Sequence, residues 1–146
     1  MNRRRFLAAS GVALFAGPAL AARDAVEVYK SATCGCCSDW IKHLRASGFE
    51  VRAHDVSNPR EYRERYGVPG VFASCHTAVV GGYAIEGHVP AREIRRLLAE
   101  RPKAQGLAVP GMVPGSPGME GPRSDPYEVL LFQRDGRYTA YARYSR

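Results

Sequence analysis

The chain has 146 residues, 45% of them hydrophobic and 24% charged, values that exclude a disordered or fibrous polymer and make a single globular domain the default. The net charge is +7, but three of the cations, Arg3, Arg4 and Arg5, lie in an N-terminal segment expected to be removed. Without residues 1–21 the balance is 18 basic against 14 acidic, or +4. So mild and dispersed a surplus argues against nucleic acid or a membrane surface as the main partner.

The chain opens Met1-Asn2-Arg3-Arg4-Arg5-Phe6-Leu7, runs apolar from Ala8 to Ala16 apart from Ser10, and continues to Leu20-Ala21. A basic start, a short apolar middle and an Ala-x-Ala end predict an export signal over residues 1–21, and Arg-Arg-x-Phe-Leu resembles the twin-arginine variety. The apolar run is shorter than the roughly 20 residues a membrane span needs. The mature chain, 22–146, is therefore expected to be one soluble periplasmic domain without a membrane span, in a compartment where thiols can be oxidised.

Val26 to Tyr29 is a short β-rich run leading into Cys34-Gly35-Cys36-Cys37. Cys37, Trp40, Ile41 and Leu44 then form one stripe of a helix that Gly48 ends. Phe49, Val51 and Ala53 alternate with charged residues as a strand does. Asn58 and Pro59 open a short helix carrying Tyr62 and Tyr66, closed by Gly67-Val68-Pro69-Gly70. Thr77–Val80 and Tyr83–Glu86 flank Gly81-Gly82, a hairpin turn. Pro90 starts a third helix with Ile94, Leu97 and Leu98 on one face, and Pro102 stops it. The order βαβαββα favours an α/β fold with a parallel strand pair, a helical crossover and an added hairpin.

Gly106–Pro126 holds five glycines and five prolines in 21 residues and is expected to be an irregular loop with a function. Met112 and Met119, the only methionines besides the initiator, lie in it. Glu128–Gln133 and Tyr138–Tyr144 flank Asp135-Gly136, a C-terminal β-hairpin signal.

A Cys-x-x-Cys pair at the start of a helix has its thiolate stabilised by the N–H groups there. Strand, cysteine loop and helix in this order resemble the thioredoxin superfamily, whose loop before the third strand approaches the cysteines, usually through a cis-proline. The matching loop here, Ser74-Cys75-His76-Thr77, has no proline, and the resemblance implies that Cys75 or His76 comes within reach of Cys34 and Cys37. Cys36 and Cys75 would leave a thiol–disulfide shuttle open to scrambling. Soft sulfur donors select Cu(I). Cys36 and Cys37 project about 100° apart on a helix, which suits sulfurs bridging several Cu(I) ions. A tetrahedral zinc site of four sulfurs, or three with His76, making the chain a zinc-stabilised interaction module, is a rival; structural disulfides and a shuttle with Cys34 as nucleophile and Cys37 as resolving thiol are others.

Several motifs are more specific: Thr33-Cys34-Gly35-Cys36-Cys37, Ser74-Cys75-His76-Thr77-Ala78, Gly82-Tyr83 through Glu86-Gly87-His88-Val89-Pro90, and Gly106–Met112 to Gly115–Glu120. Their residues and order, from about Val26 to the C-terminal hairpin, resemble the family of small exported metal-binding proteins that includes the copper-resistance protein CopG. That resemblance implies a thioredoxin-like core with a Gly/Pro-rich methionine loop and a C-terminal hairpin, and a cysteine-bridged copper cluster. It also implies a role in copper tolerance that extends to copper redox chemistry, making the chain a candidate copper oxidoreductase, with other periplasmic copper-handling proteins as partners. The expected ligands are Cys34, Cys36, Cys37 and Cys75, completed by Met112, Met119, His76 and His88. His43 is expected to be solvated, His54 structural or exposed, Trp40 packed, and Arg92-Glu93-Ile94-Arg95-Arg96 a solvated helix face.

Overall fold

The computed structural model describes residues 25–145, so the predicted export segment lies outside the described residues. Strand β1 (Val26–Lys30) buries Val26, Val28 and Lys30 in alternation. Helix α1 (Gly35–Ala46) buries Cys37, Trp40, Ile41 and Leu44, the expected stripe. It ends at Ser47, and Gly48 follows with φ +88° while its N–H bonds the Arg45 carbonyl. Strand β2 (Val51–Asp55) pairs parallel with β1. Only Val51 of β2 is buried; the expected alternation fails at Ala53 because β2 is an edge strand of the sheet.

Helix α2 (Pro59–Arg65) has its proline at the first turn, and a 3-10 turn, Gly70–Phe72, follows. Strands β3 (His76–Val80) and β4 (Tyr83–Gly87) form the expected hairpin, with φ +56° and +84° at Gly81 and Gly82 as a tight hairpin turn requires. Helix α3 (Ala91–Glu100) follows Pro90 and ends on Arg101 in left-handed conformation. Strands β5 (Gly106–Val109), β6 (Tyr127–Phe132) and β7 (Tyr138–Tyr144) complete a seven-stranded mixed sheet in the order β2-β1-β3-β4-β5-β6-β7. No helix among the described residues is long and apolar enough to cross a membrane.

β5 corrects the expectation that Gly106–Pro126 is irregular throughout. Gly106 to Val109 pairs parallel with β4 and is wholly buried. The proline content of the whole stretch masks a four-residue apolar run ahead of its first proline, Pro110. On β4 and β5, Ile85 and Leu107 join the large core with α1 and α3, while Ala84 and Ala108 pack with Val68, Phe72 and Phe132. The sheet centre is thus covered on both faces, and neighbouring backbones approach closely. A Cβ at Gly106 would run into the Ala84 carbonyl. Gly106→Ala is therefore expected to destabilise the chain by about 2 kcal/mol or more through overpacking, read as a lowered urea midpoint; an unchanged midpoint would contradict this packing.

Candidate metal centre

The antiparallel register of β1 and β3 sets Lys30 opposite His76. The chain leaving β1 towards Cys34 and the chain entering β3 from Cys75 therefore meet at one end of neighbouring strands. Lys30 anchors that end, donating to Asp55 Oδ1 at 2.6 Å and to the Ser31 carbonyl at 3.3 Å. Cys34 caps α1, its sulfur accepting the Cys37 N–H at 3.3 Å, and it is joined to Cys37 as a disulfide. Cys36 and Cys75 are half-buried free thiols. Cys36 Sγ lies 3.6 Å from Cys34 Sγ and 3.9 Å from Cys75 Sγ. All four sulfurs stand within 4.8 Å of one another, so the divergence of Cys36 and Cys37 around the helix does not separate them.

Two imidazoles extend the cluster. His88 is buried, with Nδ1 2.6 Å from the Pro117 carbonyl and Nε2 3.1 Å from Cys75 Sγ. A carbonyl only accepts, so Nδ1 carries the proton and Nε2 of the neutral ring turns its lone pair on the sulfur. A carbonyl holding the far nitrogen is the support that metal-binding histidines commonly have. His76 is fully buried against Trp40, ring centroids 4.3 Å apart, with Nδ1 3.3 Å from Cys75 Sγ. Its Nε2 is buried and meets no hydrogen-bond partner within bonding geometry among the described residues. Cys75, His76 and His88 thus form a second close donor set sharing one sulfur with the first.

Burial sets the protonation of these groups. It pushes the Cys75 thiol up to about 12, the neighbouring Cys36 adding to the effect, and pulls His76 down to about 3, with His88 adding to it. Burial also lowers His88, against the Pro117 carbonyl and Glu120. Cys75, His76 and His88 are accordingly neutral at pH 7, and a metal taking Cys75 must displace its proton. Thiols and imidazoles without a carboxylate among them suit a soft or borderline ion, Cu(I) or zinc, and disfavour calcium or magnesium.

The loop after β5 leans on this cluster. Gly118, at φ +86°, lies so close to α1 that a Cβ would sit 2.8 Å from the Cys36 carbonyl and 2.7 Å from the Trp40 nitrogen. Met119 follows, half-buried, its backbone bonded to Ser116 and Gly115. Met112 is 56% exposed; it adjoins Gly111, whose N–H donates to the Ala73 carbonyl and whose carbonyl accepts from Ser74 Oγ. The structure thus brings together the four sulfurs, and Cys75 with His76 and His88, while Met112 and Met119 lie on the loop whose Gly118 packs against α1.

Two expectations need correction. His43 is not solvated: it is half-buried and its Nε2 accepts the Ala91 N–H at 3.0 Å, filling one of the unpaired donors at the start of α3. Glu93 is buried, bonded by Tyr144 Oη at 2.8 Å, so the Arg92–Arg96 face is only partly solvated. His54 is exposed as expected and pairs with Glu27. Sequence reasoning missed Arg63 and Glu86, which join Thr77 and Ser74 in a buried network. The available signal was a lone carboxylate in the apolar run Tyr83-Ala84-Ile85-Glu86.

An α/β chain that gathers cysteines from a helix start and a strand entry beside two buried histidines has a thiol–imidazole centre able to bind metal. Two solved structures titled copper resistance protein CopG, forms 1 and 2, are each 47% identical to it. They superpose with TM-scores of 0.80 and 0.79, covering 86% and 85% of this chain and 100% of theirs. The chain belongs to the family of the copper resistance protein CopG. Residues 72–119 also match the family described as protein of unknown function DUF411. No curated protein matches the chain.

His43, His76 and His88 are all held below their ordinary value, chiefly by burial. As pH falls below about 6.5 the unfolded chain takes up protons that the folded chain refuses, so stability present above that pH is lost on acidification. Glu86, raised by burial, works the other way, one group against three. The urea midpoint of the metal-free protein is expected to drop between pH 7.5 and 5.5; a midpoint that held or rose would contradict the buried neutral histidines.

Proposed function

We propose that the chain is a thioredoxin-like periplasmic protein that holds Cu(I) in a cysteine-bridged, multinuclear site, serving copper resistance or homeostasis. Cys34, Cys36, Cys37 and Cys75 are the bridging ligands; His88 and His76 supply nitrogen, and Met112 and Met119 complete the shell from the loop. The observation that carries this reading is the gathering of four sulfurs within 4.8 Å, more than one shuttle disulfide uses. The relatives' titles add copper resistance. Using all four sulfurs requires an external dithiol to reduce the Cys34–Cys37 disulfide, passing it two electrons and two protons and becoming a disulfide itself, after which Cu(I) replaces the thiol protons. Closing the Cys34–Cys37 disulfide again releases two electrons and two protons, and the two electrons reduce two Cu(II) ions to Cu(I), which is the basis for copper redox activity.

Anaerobic titration of the reduced mature chain with Cu(I) is expected to saturate at two or more ions per chain, with release of protons and weaker binding in acid. Cys36→Ser should lower the stoichiometry. Saturation below two ions would rule out a multinuclear site, and unchanged uptake by Cys36→Ser would remove that residue from the ligands.

The Cys34–Cys37 disulfide at the start of α1 favours one second reading, a thiol–disulfide oxidoreductase with Cys34 as nucleophile. Insulin reduction by the metal-free protein separates the two. A dedicated copper binder is expected to show little turnover, and catalytic rates abolished by Cys34→Ser would favour the second.

A further inference from the structure

Ser74, the residue before Cys75, is held through both of its backbone polar groups by one buried ion pair. Its N–H donates to Glu86 Oε1 at 2.7 Å, and its carbonyl accepts from Arg63 Nη2 at 2.8 Å. Arg63 Nε closes the ring, donating to the same Glu86 Oε1 at 2.8 Å. The other carboxylate oxygen accepts from Thr77 Oγ1 at 2.6 Å, across the β3–β4 register that sets Thr77 opposite Glu86. The Glu86 side chain is fully buried, and that of Arg63 is 14% exposed.

Stability alone is a poor account of this pair. Removing two charges from water offsets most of their attraction, and apolar replacements of similar volume are often as stable. What apolar side chains could not do is grip a peptide from both sides. The loop reaches β3 through Ser74-Cys75-His76-Thr77 without a proline to fix its backbone, and the ion pair adds to the Ser74 Oγ bond with the Gly111 carbonyl in holding it. Glu86 also stands two residues before His88. The end of β4 therefore ties the Ser74 backbone with one side chain and meets the Cys75 sulfur with the other.

We propose that Arg63 and Glu86 are positioning residues for Cys75: their ion pair fixes where its sulfur stands relative to His88 and Cys36, and so sets the affinity of the centre for a thiophilic metal. The metal consequence rests on the copper reading above; the fixing of Cys75 does not. Neither residue touches the metal. Support of this kind behind a ligand typically accounts for about 10- to 100-fold in metal affinity.

The test uses the mature chain with Arg63→Met and Glu86→Gln combined, which removes both charges and leaves neither buried alone. Two quantities are read on protein whose circular dichroism and urea midpoint show it to be folded. The first is Cu(I) affinity by competition with a chromophoric Cu(I) chelator, together with the sulfur-to-copper ultraviolet absorption. The second is the iodoacetamide alkylation rate of Cys75 in metal-free protein, with Cys36→Ser in both arms to leave one free thiol. The expected result is a loss of about 10- to 100-fold in Cu(I) affinity, altered absorption, and alkylation several-fold faster. An unchanged alkylation rate overturns the proposal whatever copper does, and faster alkylation with unchanged copper affinity overturns it too. Failure of the parent chain to bind Cu(I) would count against the copper reading alone, because alkylation still decides whether the pair holds Cys75. Should the double variant not fold, Arg63→Lys carries the same two readings. It keeps the charge but replaces two separately aimed donors by one ammonium group, and smaller changes in the same directions are expected.

Discussion

Lys30 stands opposite His76 where β1 and β3 run antiparallel, and the whole centre depends on that register. The side-chain period of a strand is two, so a slip of one residue would reverse every side chain of β3. His76 would leave Trp40, and Cys75 would be carried away from the first turn of α1. The apolar alternation of both strands resists such a slip, with Val26 and Val28 on one and Ala78 and Val80 on the other all buried. Packing energy in the core thereby determines the placement of sulfur at its edge.

The same burial governs the acid–base state of the site. A dry wall makes charged forms costly, so Cys75 remains a thiol and both histidines remain neutral when no metal is present. A bound cation would reverse the balance, drawing on the imidazole lone pairs and stabilising the thiolates whose formation the wall otherwise opposes. Under the copper reading, this coupling would link metal affinity to pH and to the oxidation state of the Cys34–Cys37 pair. The loop carrying Pro117 and Gly118 closes over the first turn of α1 and fixes the His88 tautomer from outside the sheet. His88 and the loop therefore work together, although 29 residues separate His88 from Pro117.

Much of this arrangement was legible in the sequence. The stripe Cys37, Trp40, Ile41 and Leu44, the Gly81-Gly82 and Asp135-Gly136 turns, and Pro90 before α3 are local signals, and each produced its element. β5 was missed because the composition of 21 residues obscured four apolar ones at their start. Arg63, Glu86 and His43 were missed for a different reason. Each acts through a partner distant in the chain, 23 residues apart for the ion pair and 48 for His43 with Ala91. Local pattern carries no record of such pairs until the sheet brings them together. The gathering of Cys75 with the first three cysteines is equally long-range, and there resemblance to a family supplied what spacing alone could not.

The most direct measurement is a crystal structure of the reduced protein loaded with Cu(I) without oxygen. The expected result is copper bridged between Cys75 and sulfurs of the Cys34–Cys37 segment, with His88 turned to the metal through Nε2. Copper bound by one segment alone, or away from Cys75 altogether, would contradict the account.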